Sequence, residues 1–124
     1  MIEINTIDLA LILGSGLELD ESLITSKKLL FEDKSGIHHK MVFTCTMRNR
    51  KLLVFRGRKH FYEGHGFESI TSSVRTASEM GAGNILITNA AGGLNENFDE
   101  GDLMLINSHI NFIEKMNHKR SPFP

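Results

Sequence analysis

Apolar positions in this chain come in short runs that end abruptly in glycine or polar residues. Ile7 to Leu13 is apolar except at Asp8 and stops at Gly14-Ser15-Gly16-Leu17. Leu52 to Phe55 stops at Arg56 and Gly57, and Ile85 to Ile87 opens through Thr88 into Asn89-Ala90-Ala91-Gly92-Gly93. The continuous run Ile7 to Leu13 predicts a central strand buried on both faces, Leu52 to Phe55 reads as a buried strand, and Asn84 to Thr88 is the next strand, carrying the trio Ile85, Leu86 and Ile87. Met41, Phe43, Cys45 and Met47 instead alternate with Val42, Thr44 and Thr46, the period of a strand with one better-buried face. Arg48-Asn49-Arg50 then predicts a hairpin into a strand from Lys51 to Phe55, with Asn49 best suited to a left-handed conformation. Phe67, Ile70, Val74 and Ala77 recur at helical spacing, and Gly81 reads as the C-terminal stop. Weaker patterns predict a short helix from Asp20 to Ser26 and a short strand from Leu103 to Ile106, while periodicity is lost from Lys115 to Pro124. The predicted fold is α/β, a three-layer sandwich about a mixed central sheet, with the strands near 7–13, 51–56 and 84–89 in one sheet and the 67–81 helix against it.

Three strand ends thus turn polar or glycine-rich, and in open α/β sheets ligands collect at such ends. The stretch after the 51–55 strand is the densest: Gly57, Arg58, Lys59, His60, Phe61, Tyr62, Glu63, Gly64. A guanidinium, an imidazole, a phenol and a carboxylate arrive together there, bracketed by glycines. Gly14 and Gly16 let backbone approach a ligand, with the Ser15 hydroxyl between them. If the strands are neighbours, Ser15, Arg58, His60 and the backbone amides near Ala90 converge on one anion, for which phosphate is the natural candidate. Taken alone, the stretch reads better as a solvated basic loop with Tyr62 packed and Glu63 paired to Arg58, and the two further glycine-punctuated strand ends shift the balance toward a site.

Other chemistries fit less well. The Gly14-Ser15-Gly16 loop lacks the third glycine of a dinucleotide fingerprint and the lysine of a nucleotide-phosphate loop. His38 with His39, and His60 with His65, lack zinc spacing, and the single cysteine, Cys45, is too few for a thiolate site, so no metal is expected. His109, following an apolar stretch, reads as a structural histidine. Glu63 has no partner carboxylate at a comparable strand end to make a glycosidase pair. At 124 residues with a formal net charge of −1, the chain has room for one domain and no field that would recruit nucleic acid or an anionic membrane. No apolar run approaches a membrane span, and the lone cysteine with no signal peptide predicts a reducing, cytoplasmic setting.

With all three strand ends in view, the chain resembles the N-terminal half of a purine nucleoside phosphorylase of the trimeric class. The resemblance rests on Ile12–Leu17 (ILGSGL), Gly57–Gly64 (GRKHFYEG), Ile87–Asn95 (ITNAAGGLN) and Gly101–Phe112 (GDLMLINSHINF), in family order and nearly family spacing. It implies that residues 1–124 are the N-terminal half of a single phosphorylase-like domain, incomplete at its C-terminal end. It also implies phosphorolysis, in which inorganic phosphate attacks the anomeric carbon of a purine (deoxy)nucleoside and releases free base and (deoxy)ribose 1-phosphate. No cofactor is implied, phosphate being a co-substrate. Carried over by residue, Ser15, Arg58 and His60 would bind phosphate by their side chains and Ala90 through its backbone N–H. His38 falls at the family's phosphate-side histidine by ungapped count back from Arg58. Tyr62 would contact the ribose, with Glu63 and Asn89 in support. The implied partners are purine nucleoside and phosphate, and either a homotrimer of the completed chain or a second chain supplying the C-terminal half. The chain departs from the family at Glu18, where glycine is usual, at Ser73, where proline is usual, at Ser108, where Asp is usual, and in the text from Asp33 to His38. Two alternatives stand beside the enzyme: a non-catalytic relative that keeps only a phosphate pocket, and a dinucleotide-binding module.

Overall fold

The computed structural model describes residues 6–35 and 39–112. Two compact units divide the chain, residues 1–91 and 92–124. The first is built on a five-stranded mixed sheet: β1 (Leu9–Ile12), β2 (Ile24–Asp33), β3 (Lys40–Met47), β4 (Arg50–Arg56) and β5 (Ile85–Ile87), in the order β2-β3-β4-β1-β5. The three predicted apolar strands lie side by side, with β1 between β4 and β5 and with Ile85, Leu86 and Ile87 exposed. β1 pairs in parallel with β4 and with β5, so Leu11 stands opposite Val54 on one side and Leu86 on the other. β3 and β4 form the predicted antiparallel hairpin, closed by Met47 opposite Arg50. Both turn residues are left-handed, Arg48 at φ 49° and Asn49 at φ 61°, the backbone of a type I′ turn whose twist matches the strands it joins.

The sheet separates two apolar clusters according to the two-residue period of its strands. Ala10 and Ile12 of β1 join Leu53 and Phe55 of β4, Ile7, and Ala77 on one face. Leu11, Leu13, Leu52, Val54, Phe43 and Cys45 fill the other, where Leu19 and Ile24 pack against them. Ala77 comes from the predicted helix, which forms as two pieces, α1 (Phe67–Ile70) and α2 (Ser72–Glu79). The break lies at Thr71, whose hydroxyl donates to the carbonyl of Phe67 at 2.7 Å, and the neighbouring Ser72 hydroxyl donates to Ser69 O at 2.7 Å. Such back-bonding competes with the helical ladder. The helix ends as predicted at Gly81, left-handed at φ 79°, with the Ala82 N–H reaching Ala77 O and the Gly81 N–H reaching Ser78 O. These two bonds form a Schellman cap.

Two expectations are corrected. The helix predicted from Asp20 to Ser26 is one 3₁₀ turn, Glu21–Leu23, whose amide at Ser22 is capped by Asp20 Oδ1 at 2.9 Å. From Ile24 the chain becomes β2, a ten-residue edge strand paired with β3 and broken in register near Ser26, which is left-handed at φ 53°. Most of β2 is exposed, so its residues carry no alternation that would disclose a strand, and pairing with β3 alone defines it. The strand predicted at Leu103–Ile106 does not form. Among the described residues of the second unit there is no helix or strand, only turns such as Phe98 N–H to Asn95 O and Asp102 N–H to Asp99 O. Leu103 and Leu105 are exposed there, with no neighbouring strand to complete a ladder. Among the described residues no helix is long and apolar enough to cross a membrane.

Candidate functional site

The topology decides where a ligand can enter. β1 hands the chain away toward β2 on one side, whereas β4 sends it through α1 and α2 across β1 to β5 on the other. Loops leaving adjacent parallel strands in opposite directions open a crevice at the strands' C-terminal ends. A cleft of about 480 Å³ lies there, lined by Leu13 to Glu18 after β1, by Arg56, Gly57, Arg58 and His60 at the end of β4, and by His39.

The loops are held tightly enough that only glycine fits at two positions. A Cβ on Gly14 would lie 2.6 Å from Thr88 O and 3.1 Å from Arg58 Nη2, so β1's exit runs directly between β5's end and the guanidinium. The Gly14 N–H donates to Thr88 Oγ1 at 2.9 Å, fixing the loop to the β5 end. Gly57 is left-handed at φ 73°, and a Cβ there would meet His39 O at 2.3 Å. The left-handed turn at Gly57 carries the chain out of β4 into Arg58, which lines the cleft.

The electrostatics single out Arg58. Its Nε is buried and has no hydrogen-bond partner among the described residues. The other basic groups of the lining are engaged: Arg56 Nη2 donates to Glu18 Oε1, and His39 Nε2 faces Glu32 Oε1 at 2.8 Å. That imidazole, followed by Lys34, holds the Glu32 carboxyl below its ordinary range. His60 caps the 3₁₀ turn Phe61–Glu63. Its backbone N–H donates to Glu63 Oε2 at 2.8 Å, and its ring accepts the Glu63 N–H. A ring nitrogen that accepts is unprotonated, so the imidazole's other nitrogen is the donor when the ring is neutral. The sequence-derived site residues therefore fall in two groups. Ser15, Arg58 and His60 line one cleft. Tyr62, 80% exposed, stacks on His60 with ring centroids 4.9 Å apart and does not line it. Glu63 stands behind His60 as its capping partner, with His65 Nε2 at 3.7 Å. The Asn89 Cα would lie 2.9 Å from a Cβ added to Gly14, and Ala90 follows it; neither lines the cleft. His38 lies outside the described residues.

Sequence reasoning missed four contributors. Thr88 anchors the Gly14 loop; its signal was a hydroxyl between an apolar strand and a glycine-rich turn. Glu18 and Arg56 pair across the cleft, a contact between residues 38 apart that no local pattern announces. His39 lines the cleft, whereas the family resemblance points to His38. Among the described residues no cluster of three or more His, Cys, Asp or Glu side chains is placed to hold a metal.

Comparison with known proteins gives the family context. The model of the phosphorylase superfamily matches residues 8–123. Purine nucleoside phosphorylase 1 of Bacillus subtilis is 38% identical over 113 residues, covering 85% of this chain and 42% of that protein. Among solved structures, a purine nucleoside phosphorylase in complex with ribose-1-phosphate superposes with a TM-score of 0.67 at 28% identity, over 77% of this chain and 38% of the other. The Schistosoma mansoni purine nucleoside phosphorylase in complex with inosine gives a TM-score of 0.64 at 26% identity, over 77% of this chain and 36% of its own. The chain thus spans about two fifths of the length of the relatives it matches.

Proposed function

We propose that this chain, which belongs to the phosphorylase superfamily through residues 8–123, supplies the phosphate site and part of the ribose site of a purine nucleoside phosphorylase. The observation that carries the reading is Arg58: a buried guanidinium nitrogen without a partner among the described residues, in a cleft whose other wall is the Gly14-Ser15-Gly16 loop. A buried donor left unsatisfied is costly, and a tetrahedral oxyanion satisfies it while accepting from the Ser15 hydroxyl and the His60 ring. No cofactor is required; phosphate is itself the nucleophile. One phosphate oxygen bonds to the anomeric carbon as the ribosidic C–N bond breaks, the bonding electrons leave with the purine, and the purine takes up the proton that hydrogen phosphate gives up on becoming the sugar phosphate ester. Positive charge that builds on the sugar is stabilised by the phosphate held beneath it, and the enclosure of Arg58 fixes the phosphate's orientation. Tyr62, stacked on His60, reaches the ribose side, with Glu63 holding His60 in place and the Ala90 N–H, next to Asn89, completing the phosphate shell. The same reading puts His38 beside the phosphate. Purine recognition falls to residues beyond those described, from a continuation of the chain or from a partner, with a homotrimer as the assembly and the cytoplasm as the location.

The test is calorimetric titration of the chain with phosphate. Arg58→Gln removes charge-assisted bonds and is expected to weaken binding by about ten- to a hundredfold. Undiminished phosphate binding by Arg58→Gln, with the fold intact by circular dichroism, would overturn the assignment.

A further inference from the structure

Glu18 presents a carboxylate on the wall of a cleft otherwise suited to anions. Its Oε1 accepts from Arg56 Nη2, so the ion pair joins the loop after β1 to the end of β4, the two elements that form the cleft. Two consequences follow from charge alone. The pair occupies the Arg56 guanidinium, so that Arg58 is the one arginine of the lining not met by a carboxylate among the described residues. It also sets a fixed negative charge beside the ligand, partly screened because the Glu18 side chain is 70% exposed.

On the reading of the cleft as an anion site, we infer that Glu18 is a specificity-determining residue: it sets the charge of the anion, disfavouring dianions and holding Arg56 back from the ligand. His39 does not alter the balance, since it faces Glu32 at 2.8 Å. With Glu18 ionised, Arg58 alone offers an uncompensated cationic charge, which matches a singly charged tetrahedral oxyanion. Removing the carboxylate releases Arg56 and adds a second positive charge to the lining. A unit charge a few ångströms from the ligand on a solvated wall changes affinity on the order of three- to tenfold, and twice as strongly on a logarithmic scale for a dianion as for a monoanion.

The test uses two tetrahedral anions of fixed charge, sulfate and methyl sulfate, titrated calorimetrically into the chain at low ionic strength. Glu18→Gln is expected to tighten sulfate roughly three- to tenfold and methyl sulfate by less, so the sulfate-to-methyl sulfate ratio rises. Glu18→Asp should keep the ratio of the unmodified chain, and Arg56→Gln added to Glu18→Gln should cancel the gain, since the freed guanidinium is its source. An unchanged ratio in Glu18→Gln, with binding still weakened by Arg58→Gln, would overturn this inference and leave the anion site standing. Binding indifferent to Arg58→Gln, or no binding by the unmodified chain and by Glu18→Gln, would remove the anion site itself and the inference with it.

Discussion

The N–H of Gly14 donates to the Thr88 hydroxyl at 2.9 Å, binding the loop that leaves β1 to the residue that leaves β5. The strands are already parallel neighbours, with Ile12 opposite Ile87. The hydroxyl extends their pairing beyond the last ladder position, where the backbone must open to make room for a ligand. The next residue, Ser15, is exposed and lines the cleft.

Thr88→Val keeps the shape and removes this acceptor. It should cost about 1 kcal/mol of stability, read from the urea midpoint at unchanged slope, and weaken phosphate through a looser Ser15. Thr88→Ser should restore both. A Val variant with undiminished phosphate affinity would show that the loop is held without this bond.

Two glycines of the site should respond differently to alanine. Gly57 and Gly16 are both left-handed, at φ 73° and 80°, but a Cβ at Gly57 would lie 2.3 Å from His39 O, whereas nothing stands within 4 Å of one at Gly16. Gly16→Ala should cost about 1 kcal/mol, the strain of the conformation alone. Gly57→Ala adds a backbone collision and should cost about 3 kcal/mol or more. Equal urea midpoints for the two variants would contradict the close approach of β4's exit to His39.

How much of this was legible follows from where each signal resides. Ile7–Leu13 and Leu52–Phe55 reveal themselves because burial leaves a nearly continuous apolar run, Ile85–Ile87 shows the same apolar run although it is exposed in the described structure, and Asn49 and Gly81 reveal the turn and cap because left-handed backbone restricts residue choice. The parallel order of β4, β1 and β5 then brings Ser15, Arg58 and His60 to one cleft, as their positions at strand ends imply. β2 was hidden because an exposed edge strand such as Thr25–Glu32 needs no apolar period, and the kink at Thr71 because a back-bonding hydroxyl leaves helical spacing intact. The Glu18–Arg56 pair was hidden for another reason. Each residue is an ordinary charged side chain in its own segment, and only the pairing of β1 with β4 brings them together.

Stability should fall at both ends of the pH range. The Asp8 carboxyl accepts the Lys51 N–H at 2.7 Å, and this bond, followed by Arg50, lowers its pKa in the fold. A carboxylate with a depressed folded pKa stabilises the fold above its unfolded pKa, and that contribution is lost as pH falls through the folded value. Cys45 titrates the opposite way: it is 1% exposed, and burial raises its thiol above the ordinary value of 9.0. A group whose folded pKa is raised stabilises fully below the unfolded pKa, and the benefit disappears as pH rises through the folded one. Thermal melts across pH should therefore show an acid loss reduced in Asp8→Asn and an alkaline loss reduced in Cys45→Ala. At neutral pH the native thiol should react with a maleimide only at the rate of unfolding. Rapid labelling of the folded chain would show that Cys45 is not enclosed between the sheet and Leu19 and Ile24.

The last prediction concerns turnover. A polypeptide of these 124 residues by itself should not phosphorolyse inosine at a detectable rate. Phosphate held by Arg58 supplies the nucleophile, but the departing purine must also be gripped and its developing negative charge met, and the described lining of the cleft offers no group on the base side. Fusing the chain to the C-terminal portion of the Bacillus subtilis relative, of which it matches 42%, supplies that side in one polypeptide. The fused protein should turn inosine over, Arg58→Gln should raise the KM for phosphate more than that for inosine, and Tyr62→Phe should do the reverse. The asymmetry follows because a lost guanidinium removes charge-assisted bonds and a lost phenol removes a neutral one. Robust turnover by the 124-residue polypeptide would show that base departure needs nothing more. A folded fusion that binds phosphate but never releases hypoxanthine would favour a non-catalytic relative that keeps the anion cleft for another use.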